Sequence, residues 1–140
     1  MGNAVTKVDP NPAQILQKLI RFDTTNPPGN ETECVRYIHD VLTGAGYDPV
    51  MLGKIPERQN LVLKVPGKGA AAPLMMYGHA DVVTTDHQQW QKPPFEGIIE
   101  DGFVWGRGAL DMKSALAMML SALLRLKEEG KTPPGDLVFA

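Results

Sequence analysis

Three side chains that could bind or orient a metal ion follow two glycine-bearing turns of the sequence. His79 and Asp81 lie in a Gly-His-x-Asp turn directly after a short apolar run, and Asp111 follows a glycine loop thirty residues later. In an extended segment, side chains two positions apart point the same way, so His79 and Asp81 share a face while Ala80 points toward packing. One imidazole together with carboxylates suits Zn²⁺ first, and Co²⁺ or Mn²⁺ next.

Each of the two carboxylates has two interpretations at this stage. Asp81 either orients the ring of His79 or reaches toward the metal or its water. Asp111 either supplies an oxygen ligand, which can bridge two metal ions, or caps the helix that follows it, because aspartate is a preferred N-cap residue. A catalytic zinc ion takes about three protein ligands and keeps an open position for water, so these residues alone do not complete a site.

The composition is that of a soluble globular domain and excludes several classes of partner. Of the 140 residues, 43% are hydrophobic and 21% are charged, which suits one ordinary core. The net charge of -2 provides no basic field for nucleic acid and no polybasic face for a membrane, so we expect a small molecule or a short peptide as the partner. The single cysteine, Cys34, forms no internal disulfide, and Met1 to Lys7 lack the basic start and apolar run of a secretory signal, which together indicate the cytoplasm.

Hydrophobic periodicity predicts three helices, and their ends carry recognisable signals. Asn11 is a good N-cap for the first, and Asn30 with Glu33 resembles a capping box for the second. The third is long and apolar nearly all round, and Gly130 closes it. The predicted ranges are 12–22, 30–46 and 111–129.

Six apolar stretches are typical of β-strands: 47–52, 60–65, 74–77, the two halves of 98–105, and 137–140. The run at 74–77 is continuous and too short for a helix, so we expect a strand buried on both faces. Asp101-Gly102 between two apolar runs is a strong hairpin signal. The stretch at 137–140 has no turn or polar tail after it, and we interpret it as an unfinished strand. These elements predict an α/β fold with a mixed central sheet flanked by helices, incomplete at its C-terminal end.

Three other motifs are assigned structural roles. Cys34 lies on the apolar stripe of the second helix, which favours a buried small hydrophobic residue over a nucleophile. The glycines around Arg107 look like a phosphate loop but lack its lysine and its serine or threonine, so nucleotide binding is discounted. Trp90 and Phe95 are expected to anchor the polar loop at 84–94 against the domain.

Four motifs, in order along the chain, carry a resemblance to a known family. They are Thr-Asn-Pro-Pro-Gly-Asn-Glu at 25–31, Gly-His-Ala-Asp-Val-Val at 78–83, Trp90 with Pro-Pro-Phe at 93–95, and Gly-Arg-Gly-Ala-Leu-Asp-Met-Lys at 106–113. Together they resemble the co-catalytic zinc amidohydrolases and exopeptidases, the family of aminoacylase, acetylornithine deacetylase, succinyl-diaminopimelate desuccinylase and glutamate carboxypeptidase. The match concerns the family as a whole and spans essentially the whole chain.

The resemblance implies a zinc-exopeptidase-like fold and a role for each candidate residue. His79 would ligate one of two zinc ions, Asp111 would bridge both, and Asp81 would be the catalytic acidic residue behind His79. A cis peptide between Asp111 and Met112 is also implied. Residues 1–140 would be the N-terminal portion of the catalytic domain, with the general-base glutamate, the remaining ligands and a dimerisation or lid domain lying beyond Ala140 in a homodimeric parent protein.

The resemblance further implies a metal-dependent hydrolase of deacylase, deacetylase or carboxypeptidase type. Its parent protein would cleave an amide or peptide bond of N-acyl amino acids or short peptides with a water activated by two zinc ions, and the 140-residue piece alone would be inactive. Two alternatives stay open. One is a non-catalytic α/β binding module in which His79, Asp81 and Asp111 are turn and cap residues, and the other is an aminopeptidase of the same class.

Overall fold

The computed structural model describes residues 9–140, so Met1 to Lys7, on which the absence of a secretory signal was argued, lies outside the described residues. The helices are α1 (Pro12–Ile20), α2 (Thr32–Gly44) and α3 (Lys113–Glu128). The strands are β1 (Val50–Leu52), β2 (Asn60–Val65), β3 (Leu74–Met76), β4 (Ile98–Glu100), β5 (Phe103–Trp105) and β6 (Leu137–Phe139). Every predicted helix and strand is confirmed, although β1 is shorter than the predicted stretch 47–52.

Four of the strands form one mixed sheet in the order β1-β2-β6-β3. β2 pairs antiparallel with both β1 and β6, whereas β3 pairs parallel with β6 and places Met76 opposite Phe139. β4 and β5 form a separate hairpin, and the positive φ angles of Asp101 (52°) and Gly102 (80°) are those of its predicted tight turn. The predicted α/β class with a mixed central sheet is therefore confirmed.

The first two helices begin in different ways. The side chain of Asn11 accepts a hydrogen bond from the backbone N–H of Ala13 at 2.9 Å, with Pro12 in the first turn, so the predicted cap of α1 is confirmed. The predicted capping box of α2 is wrong, because this helix follows Glu31, whose side chain makes no cap bond. The Glu31 carboxylate instead accepts a hydrogen bond from the Arg58 guanidinium at 3.0 Å, and this ion pair fixes the start of α2.

The helix α3 begins later than the sequence predicts. It starts at Lys113 rather than at Asp111, and Gly130, with a φ of 60°, follows its end as predicted. Its apolar surface is not covered on all sides, since Met118 is exposed. In the part of the chain that the structure describes, no helix is long and apolar enough to cross a membrane.

One hydrophobic core joins all three helices to the sheet. α1 packs along α3, and α2 packs against β1 and β2. Burying each large apolar side chain contributes roughly 1.5–3 kcal/mol, so this core is the main source of stability. The residues with almost no exposed surface include Ile15, Leu19 and Ile20 of α1, Cys34 and Leu42 of α2, Leu63 of β2, Leu120 and Leu123 of α3, and Phe139 of β6.

Strand β3 is more exposed than the sequence predicts. We expected burial on both faces, but Met75 is 60% exposed and Leu74 is also exposed, as is Tyr77 just after the strand. The cause is its place in the sheet: within residues 9–140, β3 pairs only with β6 and forms one edge. A continuous apolar run therefore predicted the strand correctly but not its surroundings.

Candidate metal centre

Strand β3 delivers His79 to the N-terminal end of α3. The hydrogen-bond ladder with β6 continues past the strand, because the backbone N–H of Gly78 donates to the backbone oxygen of Ala140 at 3.1 Å. A Cβ atom at Gly78 would lie 2.8 Å from Leu116 Cδ2 and 3.1 Å from Met112 Cε. Glycine thus lets the backbone approach α3 closely, and His79 follows immediately at this point of contact.

The glycine loop before α3 is fixed in a similar way. Gly108 has a φ of 81°, and a Cβ atom there would lie 2.9 Å from Val82 Cγ1 and 3.1 Å from Lys113 Cδ. The backbone N–H of Lys113 donates to the backbone oxygen of Gly108 at 2.9 Å, which closes the loop. The loop therefore packs directly on the segment that carries His79 and Asp81.

The structure brings His79, Asp81 and Asp111 together. The Nε2 atom of His79 lies 3.1 Å from Oδ1 of Asp111. The Nδ1 atom lies 3.0 Å from the backbone oxygen of Asp81 and 3.0 Å from its Oδ1. When Nδ1 carries the proton and donates it to Asp81, Nε2 keeps its lone pair on the side of Asp111. Of the two interpretations of Asp81, this geometry agrees with orientation of the imidazole ring.

The two carboxylates also control the charge of the imidazole. Burial alone would lower the pKa of His79, but hydrogen bonds to Asp81 and Asp111, together with their charges, outweigh it and raise the pKa above 6.5. A metal ion binding at Nε2 has to replace the proton there, so we expect binding to release a proton. The side chain of Asp111 is 85% exposed, which leaves this position open to ions from solution.

The alternative reading of Asp111 as a helix cap is wrong. The N-cap residue of α3 is Met112, and no side chain makes a cap hydrogen bond there. The peptide bond between Asp111 and Met112 is cis, as the family resemblance implies. The carboxylate of Asp111 therefore makes no N-cap hydrogen bond, and it faces His79.

The donor set suits a divalent cation but is incomplete within the described residues. One imidazole nitrogen and one carboxylate oxygen converge on one position, and the second nitrogen of the ring has its own carboxylate partner, an arrangement common behind metal-bound histidines. Residues 9–140 contain no group of three or more His, Cys, Asp or Glu side chains placed to hold a metal ion. His79 and Asp111 thus fit part of a metal site that needs further ligands.

Sequence reasoning missed the role of Lys113. Its side chain has no exposed surface, and its Nζ donates to the backbone oxygens of Leu19 at 3.0 Å and Phe22 at 2.8 Å. These carbonyls end α1, so the amine ties the end of one helix to the start of another. The sequence did contain a signal for this role. A lysine in the first turn of a helix interacts unfavourably with the helix dipole, so its presence there indicates a compensating interaction.

Arg107 holds the loop at 84–94 next to the glycine loop. Its Nη2 donates to the backbone oxygen of Thr84 at 3.2 Å, and its guanidinium lies 5.0 Å from the centre of the Trp90 ring. Its backbone N–H donates to the backbone oxygen of Pro94 at 2.7 Å. The predicted anchoring role of Trp90 is confirmed, and Arg107 is its partner.

Cys34 is a buried free thiol, as predicted. Burial raises its pKa to about 11, with a smaller opposing effect of the Lys113 charge. The thiol therefore stays protonated at neutral pH and lacks the character of a nucleophile.

With this geometry established, comparison with known proteins identifies the family. Residues 75–140, which contain His79, Asp81 and Asp111, match the peptidase family M20/M25/M40. The chain therefore contains a stretch of this family. The resemblance drawn from the four sequence motifs is therefore confirmed.

Curated relatives of this chain include a deformylase and a desuccinylase. It is 33% identical over 139 residues to the N-formyl-4-amino-5-aminomethyl-2-methylpyrimidine deformylase of Halalkalibacterium halodurans, with 94% of this chain and 33% of the relative covered. It is 35% identical over 131 residues to a succinyl-diaminopimelate desuccinylase of Cereibacter sphaeroides, with 91% of this chain and 33% of the relative covered. The chain spans about a third of the length of the curated relatives it matches.

Solved structures of the M20 family share the fold of this chain. An M20 family metallo-carboxypeptidase of Sulfolobus solfataricus superimposes with a TM-score of 0.77 at 20% identity, over 94% of this chain and 30% of that one. Human carnosine dipeptidase 1 gives a TM-score of 0.75 at 17% identity, over 91% and 30%. At these identities the likeness establishes the fold alone, and it confirms the expected family architecture.

Proposed function

We propose that this chain forms the metal-binding N-terminal part of the catalytic domain of a hydrolase that cleaves an amide or peptide bond. The observation that carries the proposal is the convergence of His79 Nε2 and Asp111 Oδ1 at 3.1 Å, across 32 positions of the sequence. Membership of a peptidase family supports the class of reaction.

Each of the three residues has a separate task in this proposal. His79 would hold one metal ion, and Asp111 would help to hold that ion and a second one. Asp81 accepts the Nδ1–H of His79, so that the ring presents Nε2 in a fixed direction. We expect two Zn²⁺ ions, with Co²⁺ or Mn²⁺ as possible substitutes, because one imidazole with carboxylates suits these ions.

When bound, the metal ions would polarise the scissile carbonyl and lower the pKa of a water molecule. The chain's own groups would bind these ions and keep the imidazole oriented. We further propose that the general-base glutamate and the remaining ligands come from beyond residue 140, and that the 140-residue chain alone is inactive. A cytoplasmic location and a homodimeric parent protein are parts of the same proposal.

The substrate class follows from the relatives and is part of the proposal. The curated relatives are named as a deformylase and a desuccinylase, and the related structures as a carboxypeptidase and a dipeptidase. All four names describe removal of an acyl group or an amino acid at an amide bond. We therefore propose an N-acyl amino acid or a short peptide as the substrate.

The test is a substrate panel assayed with a chelator, using the longer protein that contains this chain. N-formyl, N-acetyl and N-succinyl amino acids and unblocked dipeptides are compared before and after dialysis against a chelator, and then after return of Zn²⁺. We expect hydrolysis of at least one N-acyl compound or dipeptide, its loss on chelation, and its recovery with zinc.

The panel also separates the alternatives. Hydrolysis confined to peptides with a free amino terminus would assign an aminopeptidase instead. A folded protein without activity on any member of the panel and without bound zinc would favour a non-catalytic binding module.

A further inference from the structure

The loop at 23–29, which follows α1, has no part in the function proposed so far, although it lies against the candidate site. The backbone N–H of Asn26 donates to the backbone oxygen of Val82 at 2.9 Å, and that of Val82 donates to Thr24 at 3.1 Å. The hydroxyl of Thr24, a fully buried residue, donates to the backbone oxygen of Ala80 at 2.6 Å. The loop is thus fixed by its backbone beside the segment 79–82.

This backbone frame places one side-chain amide against the acidic partner of the histidine. Nδ2 of Asn26 donates to Oδ2 of Asp81 at 2.8 Å. The other carboxylate oxygen, Oδ1, lies 3.0 Å from Nδ1 of His79. Among the side chains of residues 9–140, only that of Asn26 donates to Oδ2 in this structure.

A carboxylate with one partner on each oxygen cannot turn about its terminal bond without breaking a hydrogen bond. Because Asn26 holds Oδ2, Oδ1 stays directed at the imidazole of His79. Without the amide, Asp81 could turn its carboxylate toward solvent, since its side chain is partly exposed. The imidazole would then keep only the backbone oxygen of Asp81 as a partner for Nδ1.

We propose that Asn26 is a positioning residue of the metal centre, which acts through Asp81 to fix the tautomer and direction of the His79 ring. This inference rests on the proposed function in one respect: the direction of the His79 ring matters for function because the ring binds a metal ion. The hydrogen bonds that fix this direction are present without a metal. It extends the site from three residues to a relay of four: Asn26, Asp81, His79 and Asp111.

The test uses the metal-free 140-residue chain and ¹⁵N NMR of its imidazoles. The chain has three histidines, and the spectrum of a His79→Gln variant assigns the signals of His79. At a pH above its pKa, we expect the Nδ1–H tautomer of His79 to predominate in the unmodified chain. Asn26→Leu, which has nearly the same shape but no donor, should raise the share of the Nε2–H tautomer severalfold.

A matched control comes from the same loop. The hydroxyl of Thr25 donates to Oδ1 of Asp23 at 2.6 Å and not to Asp81, so Thr25→Val disturbs the loop without touching the relay. We expect its tautomer ratio to equal that of the unmodified chain. Asn26→Ala serves as a second variant if the leucine variant does not fold. A ratio in the folded Asn26 variant equal to that of Thr25→Val would overturn the proposal.

A zinc titration provides the second readout and separates the two proposals. Loss of the direct partner of a metal-bound histidine typically weakens metal binding about 10–100-fold. Because Asn26 acts through Asp81, we expect a loss at the lower end of this range for Asn26→Leu, measured by competition with a chromophoric chelator in the longer protein that supplies the remaining ligands. Zinc binding equal in the unmodified and His79→Gln forms of that longer protein would contradict the proposed metal site. The tautomer comparison would still decide the role of Asn26.

Discussion

Asp111 and Lys113 are two residues apart, yet their side chains lie in opposite environments. The carboxylate of Asp111 is 85% exposed, whereas the amine of Lys113 has no exposed surface and donates to two backbone oxygens at the end of α1. The short turn between them divides the molecule into two regions. In the closed region the three helices pack on β2 and β6, and in the open region β3 and the glycine loop meet solvent.

The difference shows how a small domain can expose a metal-binding side chain while the elements that carry it are held by a packed core. The closed region has the contacts that determine stability, and Lys113 connects it to the start of α3. In the open region the side chain of Asp111 is exposed, so it stays available to ions from solution. Substitutions in the two regions should therefore affect different measurements.

The largest effect should come from Asp111→Ala. Removing the residue that we propose to hold both ions should lower zinc affinity by about 100-fold or more in the proposed longer protein, measured by chelator competition and elemental analysis. The free energy of unfolding should change by less than about 0.5 kcal/mol, because the side chain is exposed and caps no helix.

The matched control for this change is Asp48→Ala, which removes another exposed carboxylate far from the glycine loop in sequence. It should leave both zinc affinity and stability unchanged. Unchanged zinc content in Asp111→Ala would refute the bridging role.

The next effect concerns the thiol of the closed region. Because burial raises the pKa of Cys34 from 9.0 to about 11, the thiolate fraction at pH 8 should be about 100-fold lower than in the unfolded chain. Labelling with a disulfide reagent should therefore be slow in the native protein and fast in denaturant. Fast labelling without denaturant would show that the hydrophobic core does not cover the thiol of Cys34.

The raised pKa of Cys34 also determines how the free energy of unfolding changes with pH. The folded state holds the thiol proton more tightly than the unfolded state, so the associated stability is complete below pH 9 and is lost as the pH rises through about 11. In Cys34→Ala this part of the pH dependence should be absent, which a comparison of urea unfolding at pH 8 and pH 10.5 measures.

The smallest of the three effects is expected for Lys113→Met. The variant keeps the apolar stem but leaves the backbone oxygens of Leu19 and Phe22 without their donor, which should cost about 2 kcal/mol of unfolding free energy in urea. Lys68→Met, at an exposed position, is the control and should be neutral. Equal stability of the two variants would mean that packing alone connects α1 to α3.

Local patterns predicted most of the fold because the relevant signals lie within a few residues. Asn11 ahead of Pro12 predicted the start of α1, and Asp101-Gly102 predicted the hairpin. The exposure of β3 could not be predicted this way, since an apolar run has the same sequence whether it lies at the centre or the edge of a sheet. The capping box failed for a similar reason: the ion pair of Glu31 with Arg58 joins distant parts of the chain.

The residues of the candidate site also differ in whether a local sequence signal could identify them. His79, Asp81 and Asp111 could be singled out because their residue types suit metal binding and their motifs resemble a family. Asn26 and Lys113 could not be assigned, because their partners are 55 and more than 90 positions away and no local spacing indicates such contacts.

The free side of β3 has a further consequence for the chain in solution. Within residues 9–140, the outer backbone groups of β3 pair with no other strand, and together with the exposed side chains of Leu74 and Met75 they form an uncharged template on which a second molecule can add a strand. We therefore expect self-association that grows with concentration and begins at this edge, next to the turn that carries the histidine. A charged residue at position 75 would suppress such aggregation while leaving the helical core untouched.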